Sequence, residues 1–120
     1  MDHGLGTMDI LPEVVDAVDG KAEIVLDGGV QRGSDVLKAL CLGAKAVAIG
    51  KLQGWGLSAN GSDGVYRALE VLQQEMQIAM RLMGVTSVSQ LGPHRVTRAQ
   101  ATTDPHEMSS WVNMPISRIK

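Results

Sequence analysis

Residues 24–51 of the chain read IVLDGGVQRGSDVLKALCLGAKAVAIGK. Two short apolar runs are each followed by glycine, and a helical pattern of apolar residues lies between them. This order predicts a strand, a glycine-rich turn, a helix and a second strand, which together form a parallel βαβ unit. Because ligands bind outside the carboxyl ends of parallel strands, both glycine-containing turns are candidates for a ligand site.

The residues in these two turns suit an anion such as a phosphate. Three glycines leave the backbone open to close approach by a ligand: Gly28, Gly29 and Gly33. Ser34 is the predicted N-cap of the following helix, whose N-terminus carries a partial positive charge. Arg32 or Lys51 could complete the neutralisation of the anion.

This stretch resembles the C-terminal part of the FMN-dependent α-hydroxy-acid oxidases and dehydrogenases, the family of glycolate oxidase, lactate oxidase and mandelate dehydrogenase. The resemblance is carried by LDGGV at 26–30, RGSDVLKAL at 32–40, LGA at 42–44 and AIG at 48–50. It extends from about residue 2 to residue 85. The family fold is a (β/α)₈ barrel. The resemblance therefore implies an α/β chain that forms the C-terminal portion of such a barrel, its last two strands and their helices.

The resemblance also implies that the two turns hold the ribityl chain and phosphate of FMN. The implied cofactor-binding residues are Asp27, Gly28, Gly29, Gln31, Arg32, Gly50 and Lys51. The family commonly has arginine at positions 31 and 51. Compared with arginine, Gln31 still supplies a hydrogen-bond donor but carries no charge. Lys51 still carries the charge but cannot donate two parallel hydrogen bonds to one phosphate. Arg32 matches a family arginine that can face a neighbouring helix instead. A purely structural alternative for Asp27 is that it only shapes the Asp-Gly-Gly bend.

We predict no catalytic residue in this chain. The family base is a histidine followed by glycine and, two residues later, arginine. His3-Gly4 lacks that arginine, and the spacing from Asp2 to Thr7 matches the family stretch just beyond the catalytic segment. The resemblance therefore implies an α-hydroxy acid as the substrate of the full-length enzyme, a homo-oligomeric enzyme, and no turnover by the isolated chain.

Length indicates that the chain is part of a larger unit. A complete (β/α)₈ barrel needs about 250 residues, whereas this chain has 120 and two clear strands. We assign residues 1–91 to the C-terminal part of an FMN-binding barrel. Residues 92–120 are expected to be an irregular tail anchored by Trp111 and Val112, because proline and threonine replace apolar residues there.

Apolar periodicity predicts the remaining elements. We expect helices over 7–18, 34–42 and 63–83, a short helix over 52–60, and strands over 23–27 and 45–49. Pro12 predicts that the first helix begins near Leu11 or has a distorted first turn. The first strand, over 23–27, is expected to be buried on both faces. Tyr66 is expected to pack within the long helix.

Composition limits the class of protein. The chain is 44% hydrophobic and 20% charged, with a net charge of −2, as is typical of a soluble globular protein that does not bind nucleic acid. No apolar run is long enough to span a membrane, and the first residues given do not have the pattern of a signal peptide. The single cysteine, Cys41, fits a reducing compartment, so we expect a cytoplasmic protein. His94 and His106 lack the spacing of metal ligands, so no metal site is predicted.

Two other functions stay open on sequence alone. Similar glycine loops occur in other FMN- or phosphate-binding barrels, such as type 2 isopentenyl-diphosphate isomerase and the inosine-monophosphate dehydrogenase group. A substrate panel on the full-length protein would separate these enzymes. The chain could also be a non-catalytic half-barrel that binds phosphate or assembles with a second chain, for which a stable oligomer without flavin would be the signature.

Overall fold

A computed structural model of the protein describes residues 4–98. His3, His106, Trp111 and Val112 therefore lie outside the described residues. The elements in chain order are α1 (Thr7–Val18), β1 (Val25–Asp27), α2 (Gly33–Cys41), β2 (Ala46–Ala48) and α3 (Gly50–Leu82), followed by two 3₁₀ turns at Val88–Gln90 and Pro93–Arg95. The described part of the chain is thus a mixture of helices and parallel strands, as predicted.

The two strands pair in parallel and in a single register. Leu26 lies opposite Val47, and Asp27 lies opposite Ala48. Each strand has three residues rather than the predicted five. One further hydrogen bond, from the Lys45 N–H to the Ile24 carbonyl (2.7 Å), extends the pairing below the ladder. Both strands therefore end at the same level, and both following turns open on the same edge of the sheet.

The core lies between the sheet, α1 and α2. Its buried members are Leu11, Leu26, Val30, Val36, Ala39 and Ala44. Burial of apolar side chains contributes roughly 25 cal/mol per Å² removed from water, so this cluster is a main source of local stability. The predicted burial of β1 on both faces was wrong for the described chain. Leu26 is buried, but Val25 is 59% exposed because no described element covers its face.

Helix α1 begins at Thr7 and continues through Pro12. Proline lacks an N–H, so one bond of the helix ladder is missing there. Leu11 is buried in the core, with Met8 and Val15 packed beside it, and this burial holds the helix in place. The helix ends with Asp19 (φ 49°) and Gly20 (φ 71°) in the left-handed region, close to the predicted glycine stop.

Helix α2 packs closely on α3. A Cβ atom built on Gly33 would lie 2.6 Å from the Leu72 carbonyl oxygen, so only glycine fits at this crossing. Val36, Leu37 and Cys41 are buried.

Helix α3 contains a break that divides it into two halves. Asn60 (φ −156°, ψ 37°) and Gly61 (φ 56°, ψ −140°) are not helical, so residues 50–59 and 62–82 form separate helical segments. The sequence predicted these two helices and the interruption between them. Leu72 is buried, but Tyr66 is 70% exposed, so the predicted packing of Tyr66 is wrong for the described chain.

Residues 92–98, which the sequence assigns to the tail, contact the rest of the chain. Pro93–Arg95 forms a 3₁₀ turn, and the Arg95 Nη1 donates to the Met83 carbonyl at 3.2 Å. The Arg98 guanidinium lies 3.3 Å from the Asp9 carboxylate on α1. Among residues 4–98, no helix has the length and apolar character needed to cross a membrane.

Candidate functional site

A pocket of about 480 Å³ lies at the carboxyl ends of β1 and β2. Its walls come from the turn after β1, the end of β2 and the first turns of α3. The lining residues are Asp27, Gly28, Gly29, Val30, Gln31, Ala48, Gly50, Lys51, Leu52 and Trp55. This is the edge of the sheet at which parallel α/β proteins bind ligands.

Six of the seven residues predicted to bind cofactor line this one pocket: Asp27, Gly28, Gly29, Gln31, Gly50 and Lys51. The fold brings them together because the ends of the two strands are in register, although 24 positions separate Asp27 from Lys51 in sequence (51 − 27). The seventh residue, Arg32, does not line the pocket.

The turn after β1 depends on two consecutive glycines with positive φ. Gly28 has φ 106° and Gly29 has φ 77°, a backbone that residues with a Cβ rarely adopt. The Thr7 hydroxyl, at the start of α1, donates a hydrogen bond to the Gly28 carbonyl at 3.1 Å. Thr7 therefore anchors the turn from outside the βαβ unit, a role that the sequence analysis missed because 21 residues separate the two partners.

The Arg32 side chain points to α3 rather than to the pocket. Its Nη2 lies 2.8 Å from Glu75 Oε1, and its Nε donates to the same oxygen at 2.8 Å. The second carboxylate oxygen, Oε2, accepts the Gly33 N–H at 2.7 Å. Glu75 thus holds both the guanidinium and the first N–H of α2. Its side chain is only 24% exposed, so the contacts are partly shielded from water.

The predicted capping of α2 by Ser34 was wrong. The helix begins at Gly33, with Arg32 at the N-cap position, so Ser34 is the second residue of the helix and lies two positions past the cap. The Asp35 carboxylate accepts the N–H groups of Gln31 (3.2 Å) and Arg32 (3.0 Å). Asp35 and Glu75 together supply acceptors at a helix end whose free N–H groups favour negative charge.

The N-terminus of α3 is different. Ile49 precedes it without a side-chain capping bond, and its first turn contains no acidic residue. No atom lies within 4 Å of a Cβ built on Gly50, so the backbone faces open space there. Lys51 is exposed beside it. Open backbone N–H groups, the helix dipole and a lysine ammonium group therefore act together on one side of the pocket, an arrangement that attracts anions.

Trp55 and Leu52 form an apolar wall of the pocket that the sequence analysis missed. Trp55 follows Lys51 by four residues in α3, and residues at this spacing lie on the same face of a helix. The signal was therefore present in the sequence, but the predicted helix began at residue 52, which left Lys51 outside it. Trp55 is 47% exposed, which leaves much of its ring available for contact.

The described histidine and acidic side chains do not form a metal centre. Within residues 4–98, no group of three or more His, Cys, Asp or Glu residues is arranged to hold a metal ion. His94 accepts a hydrogen bond from Arg95 Nε at 3.1 Å, away from the pocket.

Comparison with known proteins gives a consistent result. A family model described as FMN-dependent dehydrogenase matches residues 1–98. Human 2-hydroxyacid oxidase 1 is 55% identical over 88 residues, which are 73% of this chain and 24% of the relative. The L-lactate oxidase of Nostoc sp. is 45% identical over 91 residues, 76% of this chain and 25% of the relative.

Solved structures agree. A flavocytochrome b2 variant with pyruvate bound superposes with a TM-score of 0.73 at 42% identity, over 78% of this chain and 25% of the other. The chain therefore spans about a quarter of the length of these relatives. Since the family model covers most of its residues, the chain belongs to the FMN-dependent dehydrogenase family.

Proposed function

We propose that this chain forms the last two strands and helices of a (β/α)₈ barrel that uses FMN to oxidise an α-hydroxy acid to an α-keto acid. Its part in that enzyme is to bind the ribityl chain and phosphate of FMN. The proton-transfer groups would come from the rest of the barrel, and the isolated chain would have no turnover. The names of the relatives, 2-hydroxyacid oxidase and L-lactate oxidase, support this substrate class.

The observation that carries the proposal is the pocket at the strand ends. It combines a carboxylate, an open glycine backbone and an exposed lysine within about 480 Å³. This donor and acceptor set matches the two polar parts of FMN, a chain of hydroxyl groups and a phosphate. In a pocket that bound only a phosphate, a carboxylate would lower the affinity, because it repels anions.

The residues fit FMN as follows. Asp27 can accept hydrogen bonds from ribityl hydroxyls. Lys51 and the N–H groups that begin α3 can neutralise the phosphate. Gln31 can donate one further hydrogen bond without adding charge. Trp55 offers an apolar surface at the side of the pocket.

When FMN is bound, it supplies the acceptor for the two electrons that leave the substrate. The residues of this chain bind and orient the cofactor, and the described part of the chain contributes no proton-transfer group to the pocket beyond the Asp27 carboxylate and the Lys51 ammonium group. Neither of these has the position of the family's histidine base in the sequence.

A chimeric enzyme would test the proposal. The matching 88 residues of human 2-hydroxyacid oxidase 1 would be replaced by those of this chain, which are 55% identical to them. We expect this chimera to retain FMN and to oxidise a 2-hydroxy acid, as measured by flavin absorbance and by reduction of an artificial electron acceptor. The isolated chain, assayed in parallel with added FMN, should show no turnover.

Two results would contradict the proposal. A folded chimera that does not bind FMN would show that this segment does not supply the phosphate and ribityl site. Turnover by the isolated chain would show that it contains its own catalytic groups. A wild-type human enzyme prepared in the same way is the control for flavin loading.

A further inference from the structure

The two helix N-termini near the pocket have opposite electrostatic environments. At α2, carboxylate oxygens accept the N–H groups of three consecutive residues, 31 to 33. At α3, the first turn contains no acidic residue and no side chain caps the helix. Both ends are close to the same ligand site, since Gln31, which immediately precedes Arg32, lines the pocket.

Glu75 makes the decisive contact at α2. Its Oε2 accepts the Gly33 N–H at 2.7 Å, while its Oε1 lies 2.8 Å from both Nε and Nη2 of Arg32. One carboxylate therefore occupies the place of an external anion at the helix end and also neutralises the nearest arginine. It reaches this place from another element, 42 residues further along the chain.

We propose that Glu75 is a specificity-determining residue that closes the N-terminus of α2 to external anions and so confines phosphate to the N-terminus of α3. Without Glu75, the Arg32 guanidinium and the Gly33 N–H, neither of which is bound by Asp35, would form a second anion position one residue from the pocket. A phosphate could then bind in two places, only one of which lies beside the Asp27 carboxylate and Lys51. The identity of the anion as the FMN phosphate rests on the proposed function, whereas the closure of α2 does not.

The contacts also explain why Arg32 is compatible with a cofactor pocket that it does not enter. An unpaired arginine next to Gln31 would compete with Lys51 for the phosphate. Paired with Glu75, its charge is neutralised locally, and its side chain is directed to α3. The remaining positive groups at the pocket are those of the α3 end.

Inorganic phosphate can serve as the probe. The 120-residue chain, labelled with ¹⁵N, would be titrated with phosphate at constant ionic strength while amide shifts are recorded. In the wild-type chain, we expect the Gly33 amide to show no saturable shift. In Glu75→Ala, the Gly33 amide should shift saturably with phosphate, because its acceptor has been removed, whereas the Arg32 amide remains bound to Asp35.

Glu70→Ala is the matched control. Glu70 lies on the same helix and also pairs with an arginine, Arg67, but it does not contact α2. This variant removes the same charge and should leave the Gly33 response unchanged. If Glu75→Ala does not fold, Glu75→Ser also removes the acceptor from the Gly33 N–H, and it should likewise admit phosphate at Gly33.

The outcomes separate this inference from the proposed function. A saturable phosphate response at Gly33 in the wild type, or none in a folded Glu75 variant, would overturn the role of Glu75. The Gly50 and Lys51 amides report independently on the α3 end. If they do not respond to phosphate in the wild type while Gly33 responds in Glu75→Ala, the phosphate placement fails and the role of Glu75 stands.

Discussion

Gly56 and Gly64 touch across the break in α3: a Cβ atom built on Gly56 would lie 2.7 Å from the Gly64 carbonyl oxygen. The contact brings the two halves of the helix together and positions the first half, which carries Lys51 and Trp55 into the pocket. Neither glycine lies in the predicted cofactor site, so their role is to set the geometry of the element that enters it.

Substitution of Gly64 by alanine should therefore destabilise the protein. The added methyl group would overlap the backbone of Gly56, and overpacking of this kind costs about 1–3 kcal/mol. Urea unfolding would measure the change. Gly54→Ala is the matched control, because no atom lies within 4 Å of its added Cβ and alanine is the better helix former by about 1 kcal/mol. Equal effects of the two substitutions would contradict the close contact.

Lys51 and Arg32 should differ in their effect on FMN binding. In the chimera, Lys51→Met removes a charge at the open end of α3. Loss of a hydrogen bond to a charged group costs about 1.5–3 kcal/mol, so the Kd for FMN should rise by roughly tenfold to a hundredfold. Arg32→Met should change the Kd by less than about threefold, because the Arg32 guanidinium pairs with Glu75. Fluorescence titration of the apoprotein with FMN would give both values.

The affinity for riboflavin shows whether Lys51 acts on the phosphate of FMN. Riboflavin lacks the phosphate, so Lys51→Met should leave its affinity nearly unchanged. If the affinities for FMN and riboflavin fell equally, Lys51 would act through the structure of the pocket and not through the phosphate.

Gln31→Arg should tighten FMN binding. Gln31 lines the pocket, and arginine at this position would add a charge-assisted hydrogen bond to the phosphate. We expect the Kd for FMN in the chimera to fall by about tenfold, with a stronger dependence on salt concentration. Gln77→Arg adds the same charge on the exposed face of α3 and is the control. An equal gain from both variants would indicate a general charge effect.

Gly29→Ala should destabilise the turn after β1 without a steric clash. No atom lies within 4 Å of the added Cβ, but the backbone has φ 77°. Residues with a Cβ lose about 1–2 kcal/mol in the left-handed region, and asparagine loses less because it tolerates this conformation. We therefore expect the free energy of unfolding to decrease in the order glycine, asparagine, alanine at position 29. A neutral alanine variant would mean that the turn adopts another conformation.

Much of the local structure could be predicted from the sequence. The order of elements followed from apolar periodicity and glycine positions, and the strand-end pocket followed from the βαβ pattern, because parallel strands place their carboxyl ends at one edge. Six predicted residues meet there. The order of elements and the position of the pocket could be predicted because they depend on residues close together in the chain, whereas the cofactor-binding role of the six residues was implied by the family resemblance and stays a prediction.

The features that sequence reasoning missed depend on distant residues. Glu75 caps α2 from 42 positions away, and Thr7 anchors Gly28 from 21 positions away. No local pattern predicts which carboxylate reaches a helix end, so Ser34 was the reasonable but wrong choice. Val25 was expected to be buried because it lies in a short apolar strand, and Tyr66 was expected to pack because it lies inside a helix. Burial requires a neighbouring element, however, and none in residues 4–98 covers them.

The register of the two strands has a mechanical consequence. Because Asp27 lies opposite Ala48, the turns that follow are joined at their bases by the hydrogen bonds of the ladder. The distance between the bases of the two turns is therefore set by the spacing of neighbouring strands, about 4.8 Å, and cannot widen without breaking that ladder. Because the bases of the two turns are held at a fixed spacing, differences in ligand affinity among related proteins should arise from different side chains on the turns and not from movement of the turns.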